Sequence, residues 1–222
     1  MTRSVKTLLL SGLVLGVLAL ITTAFFSTSF YYLRAKPFET PAGSMRPTLQ
    51  QGDSFLVSQI FPIIGERYAP ERGDIVVFRH PQNPGVTYVK RVIGLSGERI
   101  QMKKGEVYLN GQPFERQQTE AIEEKSRDGK VSMVQTYRET LPNGRSHEVI
   151  DLQVDGRFDE TPEFDIPEGH LFVLGDNRDN SIDSRMQGHF GFVPIENVTG
   201  IARHVYFSGP EDGFVWRSLE QN

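Results

Sequence analysis

Ser44 stands in Gly43-Ser44-Met45-Arg46-Pro47-Thr48-Leu49, and Lys90 in Tyr88-Val89-Lys90-Arg91-Val92-Ile93-Gly94. Serine and a base together do nucleophilic chemistry, because a hydroxyl attacks a carbonyl well only when its proton is taken away. Without a base, a serine beside Gly and Pro is a turn residue that hydrogen-bonds its own backbone. Histidine is the usual base, and the chain has five: His80, His147, His170, His189 and His204. His80 precedes Pro81, His147 falls in a polar stretch, His170 opens a strand and His189 follows Gly188, so none stands in a motif that marks a base. A Ser–His–Asp triad is set by geometry rather than chain order and stays open, although no Gly-x-Ser-x-Gly elbow supports one. An aspartic pair among Asp176, Asp179 and Asp183 is a further arrangement. Arg178 and Arg185, interleaved with them, favour ionised, paired carboxylates over a shared proton.

Lysine is the other base. Free lysine has a pKa of about 10.4 and is protonated at neutral pH; burial among apolar side chains disfavours the charge and lowers it. Lys90 is flanked by Val89, Val92 and Ile93. Strand alternation gives it Tyr88 and Val92 as same-face neighbours and turns Arg91 the other way. From this stretch alone, an exposed strand lysine and a buried base are equal readings.

The elements that must position these residues are mostly strands. Phe38 to Gly43 is extended, since Pro37 and Pro41 disfavour helix at the residues before them. Met45 to Gln51 reads as a turn, or one helical turn, ending at Gly52. Asp53–Ser58 alternates like a strand, and Ile75–Phe78 after the turn Arg72-Gly73-Asp74 reads as a buried one. Thr87–Ile93 is a strand that carries Lys90, stopped by Gly94 and Gly97. Ile100–Leu109 with Asn110-Gly111 suggests a hairpin. Val131–Leu141 reads as a strand, and Asn143-Gly144 as a second hairpin turn. His170–Leu174 is a buried strand that delivers Gly175 to Arg185, and Ile201–Phe207 is a last strand. Phe61-Pro62-Ile63-Ile64 suits either core packing or a membrane-touching lip, and Trp216 likewise.

Leu8 to Phe26 runs nineteen residues without a charge, enough to cross a hydrocarbon core of about 30 Å. Phe30-Tyr31-Tyr32 follows, then Arg34 and Lys36, which suits a membrane interface. A cleaved signal peptide has a shorter apolar core, so a retained anchor is the expectation. Arg3 and Lys6 favour an inside N-terminus. The layout expected is a cytoplasmic tail 1–7, an anchor 8–28, a catalytic body 37–103 and 167–210, an insertion 104–166, and a C-terminal tail 211–222. The insertion reads as a solvated elaboration without chemistry.

With 222 residues the chain can bury a core, and its net charge of −4 does not suggest a nucleic-acid partner. Cysteine is absent, which excludes disulfides, thiolate catalysis and cysteine metal sites. No His-Glu-x-x-His or other zinc spacing occurs, and no phosphate-cradling glycine loop. The fold class expected is mostly β.

Four boxes then occur in order: Ser44-Met45-Arg46-Pro47-Thr48-Leu49, Arg72-Gly73-Asp74-Ile75-Val76-Val77-Phe78, Tyr88-Val89-Lys90-Arg91-Val92-Ile93-Gly94 and Gly175-Asp176-Asn177-Arg178-Asp179-Asn180-Ser181-Ile182-Asp183-Ser184-Arg185. Together they resemble the bacterial type I signal peptidases, or leader peptidases, from about Phe38 to Phe207. The resemblance implies a β-rich catalytic domain with a small inserted β domain behind one transmembrane helix. It implies a membrane-anchored serine endopeptidase of the cytoplasmic membrane, with its catalytic domain on the outer face. Its partners would be the signal peptides of exported preproteins, the phospholipid membrane and the nearby export translocon; neither metal nor other cofactor is called for.

By resemblance Ser44 is the nucleophile and Lys90 the neutral general base, Ser181 and Asp183 help orient the lysine, and Asp176 and Arg178 are framework residues with an internal ion pair there. Thr40, Pro41, Met45, Leu49, Tyr88 and Val89 match pocket-lining positions for small side chains, and 38–43 and 87–90 can hydrogen-bond an extended substrate. Ala42 departs from the pattern: many members carry a serine there whose hydroxyl helps to hold the oxyanion. Related serine–lysine proteases, such as a maturation peptidase or a self-cleaving repressor, are the nearest alternatives. An inactive tethered β domain that binds export partners is the non-enzymatic one.

Overall fold

The strand Ile75–Arg79 shows how the core is made. Ile75 and Val77 pack into one apolar cluster with Met45, Leu49, Phe55, Val57 and Val205, while Val76 and Phe78 point into another with Val92, Leu171, Val173 and Ile201. Side chains alternate across a strand, so a sheet covered on both faces demands the unbroken apolar run seen here.

The computed structural model describes residues 16–23, 35–59, 70–125, 131–152 and 155–220. The chain divides into two units, Met1–Lys36 and Pro37–Asn222. In the first, residues 16–23 are helical and exposed, and Thr23 donates its hydroxyl to the Ala19 carbonyl at 2.7 Å. No helix among the described residues is long and apolar enough to cross a membrane. Most of the expected anchor 8–28 lies outside the described residues, as does the Phe61–Ile64 loop.

The rest is strand. In chain order the elements are β1 (Ala35–Glu39), β2 (Ser54–Gln59), β3 (Ile75–Arg79), β4 (Thr87–Gly94), β5 (Arg99–Lys103), β6 (Glu106–Leu109), β7 (Gln112–Pro113), β8 (Glu115–Gln118), β9 (Ile122–Lys125), β10 (Val131–Val134), β11 (Thr136–Thr140), β12 (Ser146–Ile150), β13 (Phe164–Asp165), β14 (His170–Leu174), β15 (Val193–Pro194), β16 (Val198–Ser208) and β17 (Gly213–Ser218). The main sheet runs β1-β2-β16-β3-β4-β14-β15, with β17 also on β16. Three smaller sheets follow the orders β13-β5-β6-β7, β12-β11-β8 and β10-β9.

Three local expectations change. Ile100–Leu109 is two strands, not one, because Lys104 (φ 50°) and Gly105 (φ 75°) make a tight turn between β5 and β6 before Asn110 (φ 50°) and Gly111 (φ 80°) make the next. Positive φ at both central residues is the hairpin geometry that matches strand twist; lysine there is uncommon and gives no signal. Val131–Leu141 breaks at Gln135, whose amide donates to the Thr119 and Thr136 carbonyls, so β10 pairs with β9 and β11 with β8 and β12. Residues 211–222 are not simply a tail: β17 pairs with β16, His204 opposite Ser218 and Val205 opposite Arg217. Residue 104 falls inside the β5–β6 hairpin, and one apolar cluster joins Ile93, Ile100 and Met102 to Val107, Leu141 and Ile166.

Candidate active site

Ser44 lies in the connection between β1 and β2. The neck of that loop is closed by Thr40 N–H on the Asp53 carbonyl (2.8 Å) and Gly52 N–H on the Thr40 carbonyl (2.8 Å). Leu49 N–H donates to the Met45 carbonyl at 2.9 Å, the single helical turn expected. Met45 and Leu49 are both wholly buried in the core, where they anchor the loop beside Ser44. The Arg46–Pro47 peptide is cis.

Lys90 reaches this loop from the middle of β4. Its Nζ donates to Ser44 Oγ at 2.7 Å and to the Val89 carbonyl at 2.8 Å. Only 2% of Lys90 is exposed. Burial lowers its pKa to about 8, against the opposing pull of the Asp183 and Asp176 charges. A lysine at this value is a usable base near neutral pH. Of its two readings, the buried one is the structure's. Among the described residues the Ser44 N–H donates to no protein group, which leaves it available for a ligand oxygen.

The run after β14 supports both residues. Asn177 donates its backbone N–H to the Ser44 carbonyl (3.1 Å) and its side-chain amide to the Gly43 carbonyl (3.1 Å). Asp176 receives both Arg91 Nε (2.9 Å) and Arg91 Nη2 (2.7 Å), and the Thr48 hydroxyl at 2.5 Å. Arg178 makes a two-pronged pair with Glu139 of β11. The ion pair expected at Asp176 and Arg178 is therefore two pairs, each with a partner elsewhere in the chain. Asp183 binds Arg185 Nε at 2.8 Å and accepts the Gly175 N–H at 3.1 Å. Burial alone would raise its carboxyl, but Arg185, Gly175 and Ser181 outweigh that and hold it below the usual carboxylate range. Neither Ser181 nor Asp183 hydrogen-bonds Lys90; Asp183 acts on it through charge, and Ser181 lines the same cleft.

That cleft, of about 690 Å³, holds Ser44 and Lys90 together with Thr40, Pro41, Ala42, Tyr88, Val89 and Ser181. Val86, Ile182 and Met186 add apolar surface, and Arg157 and Phe158 bring a wall from the segment read as an insertion without chemistry. Arg185 lies over the Phe158 ring, 5.1 Å from its centroid. Sequence reasoning missed these residues. Only Ile182 carried a signal: an apolar residue between buried Ser181 and Asp183 in extended backbone must point the other way, and it is 43% exposed. No histidine lines the cleft. His80 accepts the Gln82 N–H at 3.0 Å and meets the His189 ring edge to face, and His204 stacks on Trp216. Among the described residues, the one cluster of metal-type ligands is Asp151, Asp159 and Asp179. Its carboxylates already accept Arg116 (2.7 Å), Gly156 N–H (2.6 Å) and Leu152 N–H (2.8 Å) respectively.

A buried lysine bonded to a loop serine, at the floor of a mostly apolar cleft, is the equipment of a serine peptidase. Residues 8–207 match the family described as signal peptidase, peptidase S26. The chain is 38% identical over 196 residues to the signal peptidase I of Rickettsia canadensis (strain McKiel), covering 78% of this chain and 72% of that one. It is 35% identical over 197 residues to the signal peptidase I of Pseudomonas aeruginosa, covering 79% and 66%. Among solved structures, a signal peptidase I from Enterococcus faecalis V583 aligns at 31% identity over 60% of this chain and 97% of that one, with a TM-score of 0.34. The chain belongs to the signal peptidase family, peptidase S26.

Proposed function

We propose that Ser44 and Lys90 are the dyad with which this enzyme cleaves signal peptides from exported preproteins. The single observation that carries the reading is the 2.7 Å hydrogen bond between Ser44 Oγ and the buried Nζ of Lys90. In the reactive form Lys90 is neutral. Ser44 Oγ attacks the scissile carbonyl carbon as its proton passes to Lys90 Nζ. The Ser44 N–H donates to the oxyanion that forms. As the C–N bond breaks, the lysine ammonium gives its proton to the leaving amine, and Ser44 is left acylated. Water then attacks the ester, giving a proton to Lys90, and the collapse returns that proton to Ser44 Oγ and frees the peptide acid.

Thr40, Pro41, Ala42, Tyr88 and Val89 line the cleft that would take the residues before the cleaved bond, and its apolar surface suits small side chains. Asp176 and Arg178 hold the frame, Asp183 tunes the lysine, and Ser181 closes the floor beside it. Residues 8–28 are read as a single membrane anchor behind the short tail 1–7, with the catalytic body (37–103 and 167–210) on the outer face of a bacterial cytoplasmic membrane, near the translocon. Residues 104–166 are read as the inserted β domain.

The test is cleavage of a preprotein in detergent by wild type, Ser44→Ala and Lys90→Ala. Wild type cleaves after a small residue and both variants are inert. Cleavage by folded Ser44→Ala at the wild-type rate would overturn the dyad.

A further inference from the structure

We infer that Glu139 is a positioning residue for Ser44, acting from the inserted segment through Arg178 and Asn177. The inference rests on the reading of Ser44 as the nucleophile. Among the described residues Asn177 alone holds the carbonyls of both Gly43 and Ser44, through its amide side chain and its backbone N–H, the Gly43 carbonyl also accepting the Arg46 N–H at 3.2 Å. A peptide unit is planar and trans. Fixing the Gly43 carbonyl therefore fixes the direction of the Ser44 N–H, which donates to no group among the described residues and is placed to meet an oxyanion.

What holds Asn177 comes from residues 136–152. On one side of it, the Asp176 carbonyl accepts the Ile150 N–H of β12 at 2.8 Å, in a parallel bridge that pairs Ile150 with Asn177. On the other side, Arg178 is gripped by both carboxylate oxygens of Glu139. One residue further on, Asp179 Oδ2 accepts the Leu152 N–H at 2.8 Å. Glu139 is 0% exposed and Arg178 2%. The planar fork of an arginine against a carboxylate fixes direction as well as distance, so Arg178 cannot swing without breaking the pair.

A buried ion pair adds little net stability compared with apolar side chains of similar volume. Stability alone is thus a poor reason for this pair, and geometry is a better one. His147 leaves it undisturbed. Its Nε2 lies 3.7 Å from Glu139 and 4.0 Å from Asp176. Burial and the charges of Arg91, Arg178 and Arg145 hold it neutral, so no second cation competes with Arg178 for the Glu139 carboxylate.

The experiment compares the full-length enzyme with Glu139→Gln and with the double variant Glu139→Met/Arg178→Met, measuring kcat and KM on a purified preprotein in detergent and thermal unfolding of each. Misplacing a reacting group by about 1 Å costs up to roughly a hundredfold. The expected result is a folded double variant whose kcat is roughly ten- to a hundredfold lower at a KM within about twofold of wild type. The cleft wall that binds substrate is untouched, so KM holds. Glu139→Asp, which keeps the charge on a shorter stem, recovers part of the loss. A folded variant with wild-type kcat overturns the inference, and so does a loss carried by KM. Failure of both variants to show a cooperative unfolding transition also overturns it, because the pair would then serve folding as such. Ser44→Ala assayed alongside separates the two readings. If it cleaves, the nucleophile is wrong; if it is inert while the Glu139 variants keep their kcat, only the positioning role fails.

Discussion

Lys90 Nζ lies 2.7 Å from Ser44 Oγ and 2.8 Å from the carbonyl of Val89, its own neighbour. Neither partner carries a negative charge, so nothing in direct contact holds the proton on. Activity is therefore expected to rise with pH along a limb centred at about 8. A pH–kcat/KM profile checks this, and a limb near the value of free lysine would contradict the buried base.

The same burial makes the site unstable. Below pH 8 the lysine is protonated both in the folded state and in the unfolded one, whose value is 10.5, and the native state bears the cost of a buried charge. Between about 8 and 10.5 only the folded form has lost the proton, so stability rises with pH. The gap corresponds to about 3 kcal/mol. Lys90→Met is expected to be inactive yet to melt roughly 5 °C or more above wild type at pH 7, with the difference closing by pH 10.5. Thermal unfolding across pH measures it.

Asp183→Asn separates charge from contact. Asp183 touches Arg185 and not Lys90, yet its charge raises the lysine. Removing it is expected to move the activity limb below about 8. It also leaves the buried Arg185 without its carboxylate, which lowers the melting temperature. In wild type the depressed Asp183 pKa contributes stability above its unfolded value of 3.8, lost as pH falls through the lower folded one. A limb that stays in place would show that the Asp183 field does not reach Nζ.

Met45 and Leu49 follow Ser44 in the same loop and are wholly buried. Leu49→Ala should cost about 2–5 kcal/mol of stability and leave the choice of residue before the cleaved bond unchanged. Ala42, exposed at the cleft, behaves in the opposite way. Ala42→Ser should leave stability within about 0.5 kcal/mol. It should raise kcat about tenfold if its hydroxyl donates to the oxyanion. Denaturant melts and product sequencing test the first variant, and single-turnover kinetics the second.

The strands that hold the site were readable because each has a short apolar run with a turn at its end: Ile75–Phe78 after Gly73, Thr87–Ile93 before Gly94, His170–Leu174 before Gly175. The nearness of Ser44 to Lys90 was not readable from spacing, since forty-six positions separate them; it came from the family resemblance. The partners of the buried charges were less legible still. Nothing local marks Glu139 as the mate of Arg178, because the pair depends on how β11 packs against the run 175–185. Phe158 was hidden for the same reason: its role follows from a loop folding back over Arg185.

β16 lies between β2 and β3 in the main sheet although it comes more than a hundred residues after either. Strand β2, which follows the loop of Ser44, and strand β3, which pairs with the lysine strand β4, are therefore joined only through residues 198–208 in this sheet. A chain cut short before residue 198 is therefore expected to lack the strand that joins the side of the sheet next to Ser44 to the side that carries Lys90.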